Sequence, residues 1–211
     1  MRLTFAPIST FVRAAVVCLV SLAFAAPAAS AGVLVSSATS CDEQTLEQPF
    51  LPWADIANYV IAPNGTFESG SSGWALSGGA SVVSGNEPYN VHGEGETHSL
   101  SLPSGSSATS SSMCVGIEHP TLRIFARNAG TVLSTLKVDV LYEDAAGNAQ
   151  SLTIGRLMGS SWQPSVVMPL VVNLLPLLPD ERTAVAFRFT PQGGADSWRI
   201  DDVYVDPYRR Y

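Results

Sequence analysis

The chain has 211 residues, 46% of them hydrophobic and only 14% charged, with 18 acidic residues against 11 basic ones and a net charge of −7. A surface this acidic repels phosphate backbones, which excludes nucleic acid as a partner. Long surface helices draw on Glu and Lys, whereas Lys137 is the only lysine here and Gly, Ser and Thr abound, so the composition points to short strands and polar loops.

Residues 1–31 read as a secretory signal peptide. Arg2 and Arg13 supply the positive n-region, 14–26 is apolar, and Ala29-Ser30-Ala31 is a small-residue cleavage motif before Gly32. The apolar stretch falls short of the about 20 residues a membrane span needs, so no membrane span is expected. Export removes two basic residues and no acidic one, leaving nine against 18 and a net charge of −9. It also removes Cys18. Cys41 and Cys114 then remain as an even pair, which outside the cell reads as a disulfide. The competing reading, lipidation of Cys41, lacks the large apolar residue expected at the start of Ala38-Thr39-Ser40.

Residues 32–63 form an N-terminal extension. Within it Phe50 and Trp53 lie in a Pro-rich context, as anchors packed on the domain or as exposed binding aromatics; packing is the preferred reading because large apolar side chains are mostly buried. From residue 64 to 211 short β-type runs are separated by Gly, Ser, Asn and Pro. Strands are expected at 80–83, 98–102, 113–117, 121–128, 136–143, 151–157, 165–172, 184–190 and 198–205. Leu122, Ile124 and Ala126 alternate with Arg123, Phe125 and Arg127, and Leu136, Val138, Val140 and Tyr142 alternate with Lys137, Asp139 and Leu141. Residues 144–148 suit a hairpin turn. The Ser-rich run 104–112 reads as a flexible surface loop, and 166–178, broken by Pro169, Asn173 and Pro176, as a buried strand and an irregular crossing. Nine short strands without a helix between them make one all-β domain, a β-sandwich of jelly-roll type.

Two islands carry recognisable text. One is Asn64-Gly65-Thr66-Phe67-Glu68 followed by Gly73-Trp74; the other is Trp198-Arg199-Ile200-Asp201-Asp202-Val203-Tyr204-Val205. With the strand His98-Ser99-Leu100-Ser101-Leu102, they resemble the opening, closing and S-L-x-L strands of calcium-containing jelly-roll carbohydrate-binding modules, members of the galactose-binding-like sandwiches. The whole chain also resembles secreted actinobacterial proteins of this design. The resemblance implies that the first and last strands lie side by side and share a structural calcium, held by Glu68 and Asp201 carboxylates and the carbonyls of Thr66 and Ser99, a mixed oxygen shell that suits the ion. It also implies that Trp74 and Trp198 belong to the core. Strict alternation cannot put Ile200 and Val203 on one face, so either a bulge lies between them or one faces out.

No G-x-S-x-G elbow and no H-E-x-x-H motif occurs. His92, Glu94, Glu96 and His98 could gather a transition metal, the basis of a metal-dependent hydrolase, but the bland reading is a polar loop entering a strand. Asp201 and Asp202 are adjacent on a strand, point to opposite faces and cannot flank one glycosidic bond. No catalytic residue is assigned. Sugar rings stack on aromatic side chains, and Trp53, Tyr89, Tyr142 and Trp162 are the candidates, with Asn86, Asn90 and Arg127 as polar neighbours. The function expected is a secreted, monomeric, non-catalytic module for a glycan or cell-wall polymer. The alternative is an adhesion domain of the cell envelope that binds protein.

Overall fold

The structure is a computed structural model that describes residues 44–116, 120–143, 148–170, 182–193 and 197–207. The signal segment, Cys41, most of the 144–148 turn and the second half of the 166–178 stretch lie outside the described residues. All described residues fall within one compact unit, Ala31–Tyr211. Among them no helix is long and apolar enough to cross a membrane.

The alternating runs pair into two antiparallel sheets. The larger has the order β10 (Gln163–Pro164), β7 (Thr121–Asn128), β13 (Ser197–Asp206), β4 (His98–Pro103), β3 (Ser81–Ser84), with β1 (Val60–Ile61) added to β13 and β11 (Met168–Pro169) to β7. The smaller has the order β2 (Trp74–Ser77), β5 (Ser107–Ser110), β12 (Arg182–Gln192), β8 (Thr135–Glu143), β9 (Ala149–Leu157), with β6 (Met113–Gly116) added to β12. Between the sheets lie Leu100, Leu102, Leu122, Ile124, Trp198 and Ile200 from one, and Leu136, Val138, Val140, Phe187 and Phe189 from the other, all essentially solvent-free. This is a β-sandwich, and Trp74 and Trp198 are in its core.

The two sequence islands meet. Ala62 N–H donates to Val203 O at 2.8 Å and Val203 N–H to Gly65 O at 3.2 Å. Asn64 builds the intervening turn, its side chain accepting from Ser69 N–H and donating to Gly70 O and Ser72 O. A Cβ on Gly65 would sit 2.9 Å from Val203 O, so only glycine allows this crossing. Pairing of β13 with β7 shifts register between Asp201 and Tyr204, with Asp202 at φ +46°. That bulge resolves the conflict in the I-D-D-V text: the extra residue lets Ile200 and Val203 both enter the core.

Two expectations need correction. The Ser-rich run is not a loop throughout, since Ser107–Ser110 is β5, between β2 and β12, with Ala108 and Ser110 fully buried. Small hydroxyl residues serve there because Ser110 Oγ accepts Phe187 N–H at 3.0 Å inside the sheet. Of the strand expected at 165–172, the described part contains only the two-residue β11 on the edge of β7, with β10 just before the expected span; Pro164 and Pro169 end these short pairings. Alternation along β7 holds, with Arg123, Phe125 and Arg127 opposite Leu122, Ile124 and Ala126, and that second face is covered too, leaving only Arg127 half-buried.

The extension is the reason. Residues 47 and 59 bridge, a 3-10 turn spans Leu51–Trp53, and Phe50 is completely buried against Phe125, Tyr59 and Tyr204. Phe50 packs, as preferred. Arg123 fixes the segment: its guanidinium lies 4.1 Å from the centre of the Phe50 ring, donates twice to Ser165 O and pairs with Asp55 at 2.7 Å. Tyr59 O–H donates to the same Asp55 oxygen at 2.7 Å. Burial pushes the Asp55 carboxyl upward, but hydrogen bonds from Tyr59, Ala57 and Arg123 outweigh it and hold Asp55 below its ordinary value.

Candidate functional site

The second small core made by the extension sits on the outer face of the larger sheet, and its rim is aromatic. Trp53 stands edge-on to Tyr89 with centroids 5.0 Å apart, and both rings contact Phe125. Tyr89 O–H donates to Trp162 O at 3.1 Å. Three of the four expected sugar-binding aromatics, drawn from the extension, the 85–97 loop and the turn before β10, therefore converge. Tyr89 is 47% exposed, and Trp53 and Trp162 are half-buried. Tyr142 does not join them: it lies on β8 of the other sheet and packs against the main core, as its alternation with Lys137 and Asp139 requires.

Arg127, at the end of β7, reaches over Trp162 with 5.6 Å from guanidinium to ring centroid, a cation–π arrangement. Directly across from it in register is Arg199 on β13. Asn86 and Asn90 lie on the loop that passes above, 3.4 Å apart through their side chains. Arg199 Nη1 donates to Ser84 O, at the start of that loop.

The same loop covers a cluster of acids next to the β13 bulge. Glu87 is buried, with its oxygens taken by Tyr89 and Val91 N–H. Asp201 accepts Glu87 N–H and Asp202 N–H. Asp202 is fully buried and neither of its carboxyl oxygens has a hydrogen-bond partner; one Glu96 oxygen is in the same state. Burial, reinforced by neighbouring acids, pushes Asp201 up to about 8, Asp202 to about 9 and Glu96 to about 7. Burial likewise raises Tyr204, whose hydroxyl lies 3.1 Å from His92 Nδ1.

The residues expected to hold calcium are only partly brought together. Glu68 accepts Thr97 N–H and His98 N–H at 2.7 Å each and contacts His98 Nδ1 at 2.9 Å. Asp201 is bound by different donors, and Ser99 is buried with its hydroxyl on Gly85 O. Among the described residues no three of His, Cys, Asp and Glu are grouped to hold a metal. His92 and His98 have separate partners, Glu47 with Tyr204 and Glu68 respectively, so the 92–98 run is a structured polar loop entering β4. A shallow pocket of about 350 Å³ beside Gln163, lined by Arg156, Leu157, Met158 and Val166, gathers no comparable set of polar groups.

No protein-family model matches the chain, and no curated protein matches it. Among solved structures it is similar to the CBM22-1–GH10 modules of Clostridium thermocellum endo-1,4-β-D-xylanase 10B complexed with xylohexaose, at 18% identity and a TM-score of 0.48, over 70% of this chain and 28% of that one. It is similar to TmCBM61 in complex with β-1,4-galactotriose at 18% identity and a TM-score of 0.46, over 71% and 98% of the two chains. The xylan-binding domain from CBM22 gives 15% identity and a TM-score of 0.47, over 74% and 99%. Likenesses this remote carry no argument about this chain, and the assignment of the sandwich rests on its own strand pairing.

Proposed function

We propose that the exported chain is a non-catalytic glycan-binding module of jelly-roll type, and that Trp53, Tyr89 and Trp162 are its sugar platform. The observation that supports this is their convergence: three separate segments deliver part-exposed rings to one place, where burial alone would have hidden them. Stacked rings engage the apolar faces of sugars, and Asn86, Asn90 and Arg127 supply polar groups for hydroxyls. The test is a pull-down of the secreted protein on cell-wall and plant polysaccharides, repeated with Tyr89→Ala. Retention that is lost in the variant supports the module. Absence of retention on every polymer would favour the second reading, an envelope adhesion domain, for which the 85% and 87% exposed Val132 and Leu133 provide an apolar protein-binding tip.

Two structural elements belong to the same reading. One is a calcium ion held by the Glu68 and Asp201 carboxylates and the carbonyls of Thr66 and Ser99; added calcium should then raise the melting temperature by several degrees over EDTA, and Glu68→Gln or Asp201→Asn should remove that response. No shift and no bound metal by elemental analysis would remove the ion. A Cys41–Cys114 disulfide fits the chain path, because Gln44, three residues from Cys41, donates through Nε2 to Cys114 O at 3.1 Å. Mass spectrometry of the non-reduced secreted protein should recover the two peptides linked; two free thiols would reject the bond.

A further inference from the structure

We infer that Arg127 and Arg199 bind an oxyanion carried by the sugar, so that the ligand is an anionic glycan bearing carboxylate or sulfate. This deepens the reading of the aromatic platform as a glycan site and rests on it. The larger sheet places the two arginines directly opposite each other on β7 and β13, on the face away from the core. Like charges in that position repel; the smaller sheet opposes Lys137 and Arg156 in the same way, but there Asp139 lies 2.8 Å from Lys137 and relieves the pair. The repulsion between Arg127 and Arg199 is not relieved from within: among the described residues neither forms an ion pair with a carboxylate, in a chain with 18 acidic groups. Two acids of this region, Asp201 and Glu87, are committed elsewhere. Asp201, two residues along β13, accepts backbone N–H groups of Glu87 and Asp202, and Glu87 accepts those of Tyr89 and Val91.

Arg123 and Arg188 show what the fold does with an arginine used for structure. Arg123 meets Asp55 and Ser165 O, and Arg188 meets Asp139. Arg127 instead keeps a buried Nε with no hydrogen-bond partner and lies over the Trp162 ring. A guanidinium fork oriented by an aromatic plane suits a planar or tetrahedral oxyanion. One ligand would thus use both halves of the site: the apolar face of its ring on Trp162 and Tyr89, and its charge on the arginine pair.

The test is affinity electrophoresis of the secreted protein against polygalacturonate, fully methyl-esterified polygalacturonate, a sulfated galactan and a neutral galactan. Retention by an acidic polymer at least roughly tenfold stronger than by the neutral one is expected, the gain of a charge-assisted pair of hydrogen bonds. It should fall by a similar factor in Arg127→Gln and in Arg199→Gln, each checked for an unchanged melting curve, and the polymer retained tells carboxylate from sulfate. If either variant fails to fold, esterification probes the same contact with the intact protein, for uronate binding must vanish when the carboxylates are masked. Equal retention of neutral and both acidic polymers, or of wild type and variants, would overturn the inference, as would undiminished retention of the ester where the acid form is the polymer bound. Binding of neutral galactan alone would overturn it while leaving the glycan module standing, whereas no binding to any polymer would remove both.

Discussion

The outer faces of the two sheets use the same residue types to different ends. On the smaller sheet Asp139 is almost fully buried and is itself answered: Lys137 Nζ lies 2.8 Å away, Arg188 3.1 Å away, and Thr153 O–H donates at 2.7 Å, while Arg156, opposite Lys137 in register, bonds Gln192. Burial raises the Asp139 carboxyl, but these donors outweigh it and hold it below its ordinary value. On the larger sheet Asp201 and Asp202 are buried beside other acids and driven the other way, Arg127 and Arg199 face each other, and aromatic rings replace the polar network. A face that balances its own charges has nothing left to offer a ligand. The unbalanced face carries both an acidic deficit and a basic one, a few residues apart on a single strand.

That difference can be broken first at the extension. Phe50→Ala removes a fully buried ring from the outer core of the larger sheet and should destabilise the protein by about 3–5 kcal/mol in chemical denaturation. Leu141→Ala, on the outer face of the smaller sheet, should cost about 1 kcal/mol or less. Equal effects would mean that the extension is no part of the folded unit. A smaller effect separates the faces by pH. In chelator, Asp201 and Asp202 hold protons in the folded chain that the unfolded chain releases near its ordinary value of about 4. Their contribution therefore makes stability fall as pH rises from about 4 to about 8 for Asp201 and about 9 for Asp202. Asp139, with its value lowered, contributes stability above the unfolded value that is lost as pH falls through the folded one. Asp202→Asn should flatten the loss on the alkaline side, and Asp139→Asn the loss on the acid side, when melting temperature is followed against pH.

Much of the sandwich is legible in residue order because alternation is a local property. The 121–128 and 135–143 runs sort their own faces, and that sorting already placed Tyr142 with Leu136, Val138 and Val140, against its use as a sugar platform. β5 escaped notice because its four residues include one apolar side chain, and its strand character comes from pairing with β2 and β12 rather than from hydrophobicity. The candidate site was legible as residue types only. Trp53, Tyr89 and Trp162 are 109 positions apart from first to last, and nothing local joins them. The arginine pair is more hidden still. It depends on β13 lying beside β7, and on a register that the Asp202 bulge changes partway along. A hint was present in Arg123-Phe125-Arg127, where a large aromatic sits in the middle of an outward-facing row and so asks for a cover.

A ligand face on the outer side of the larger sheet predicts opposite behaviour from two single variants, compared on whichever polysaccharide retains the secreted protein. Trp162→Ala should reduce retention by roughly tenfold or more, the loss of a stacking ring. Arg188→Ala, on the charge-balanced face of the smaller sheet, should leave retention unchanged. The reverse pattern, with Arg188→Ala abolishing retention and Trp162→Ala keeping it, would place the ligand on the other sheet and contradict the assignment of the aromatic face.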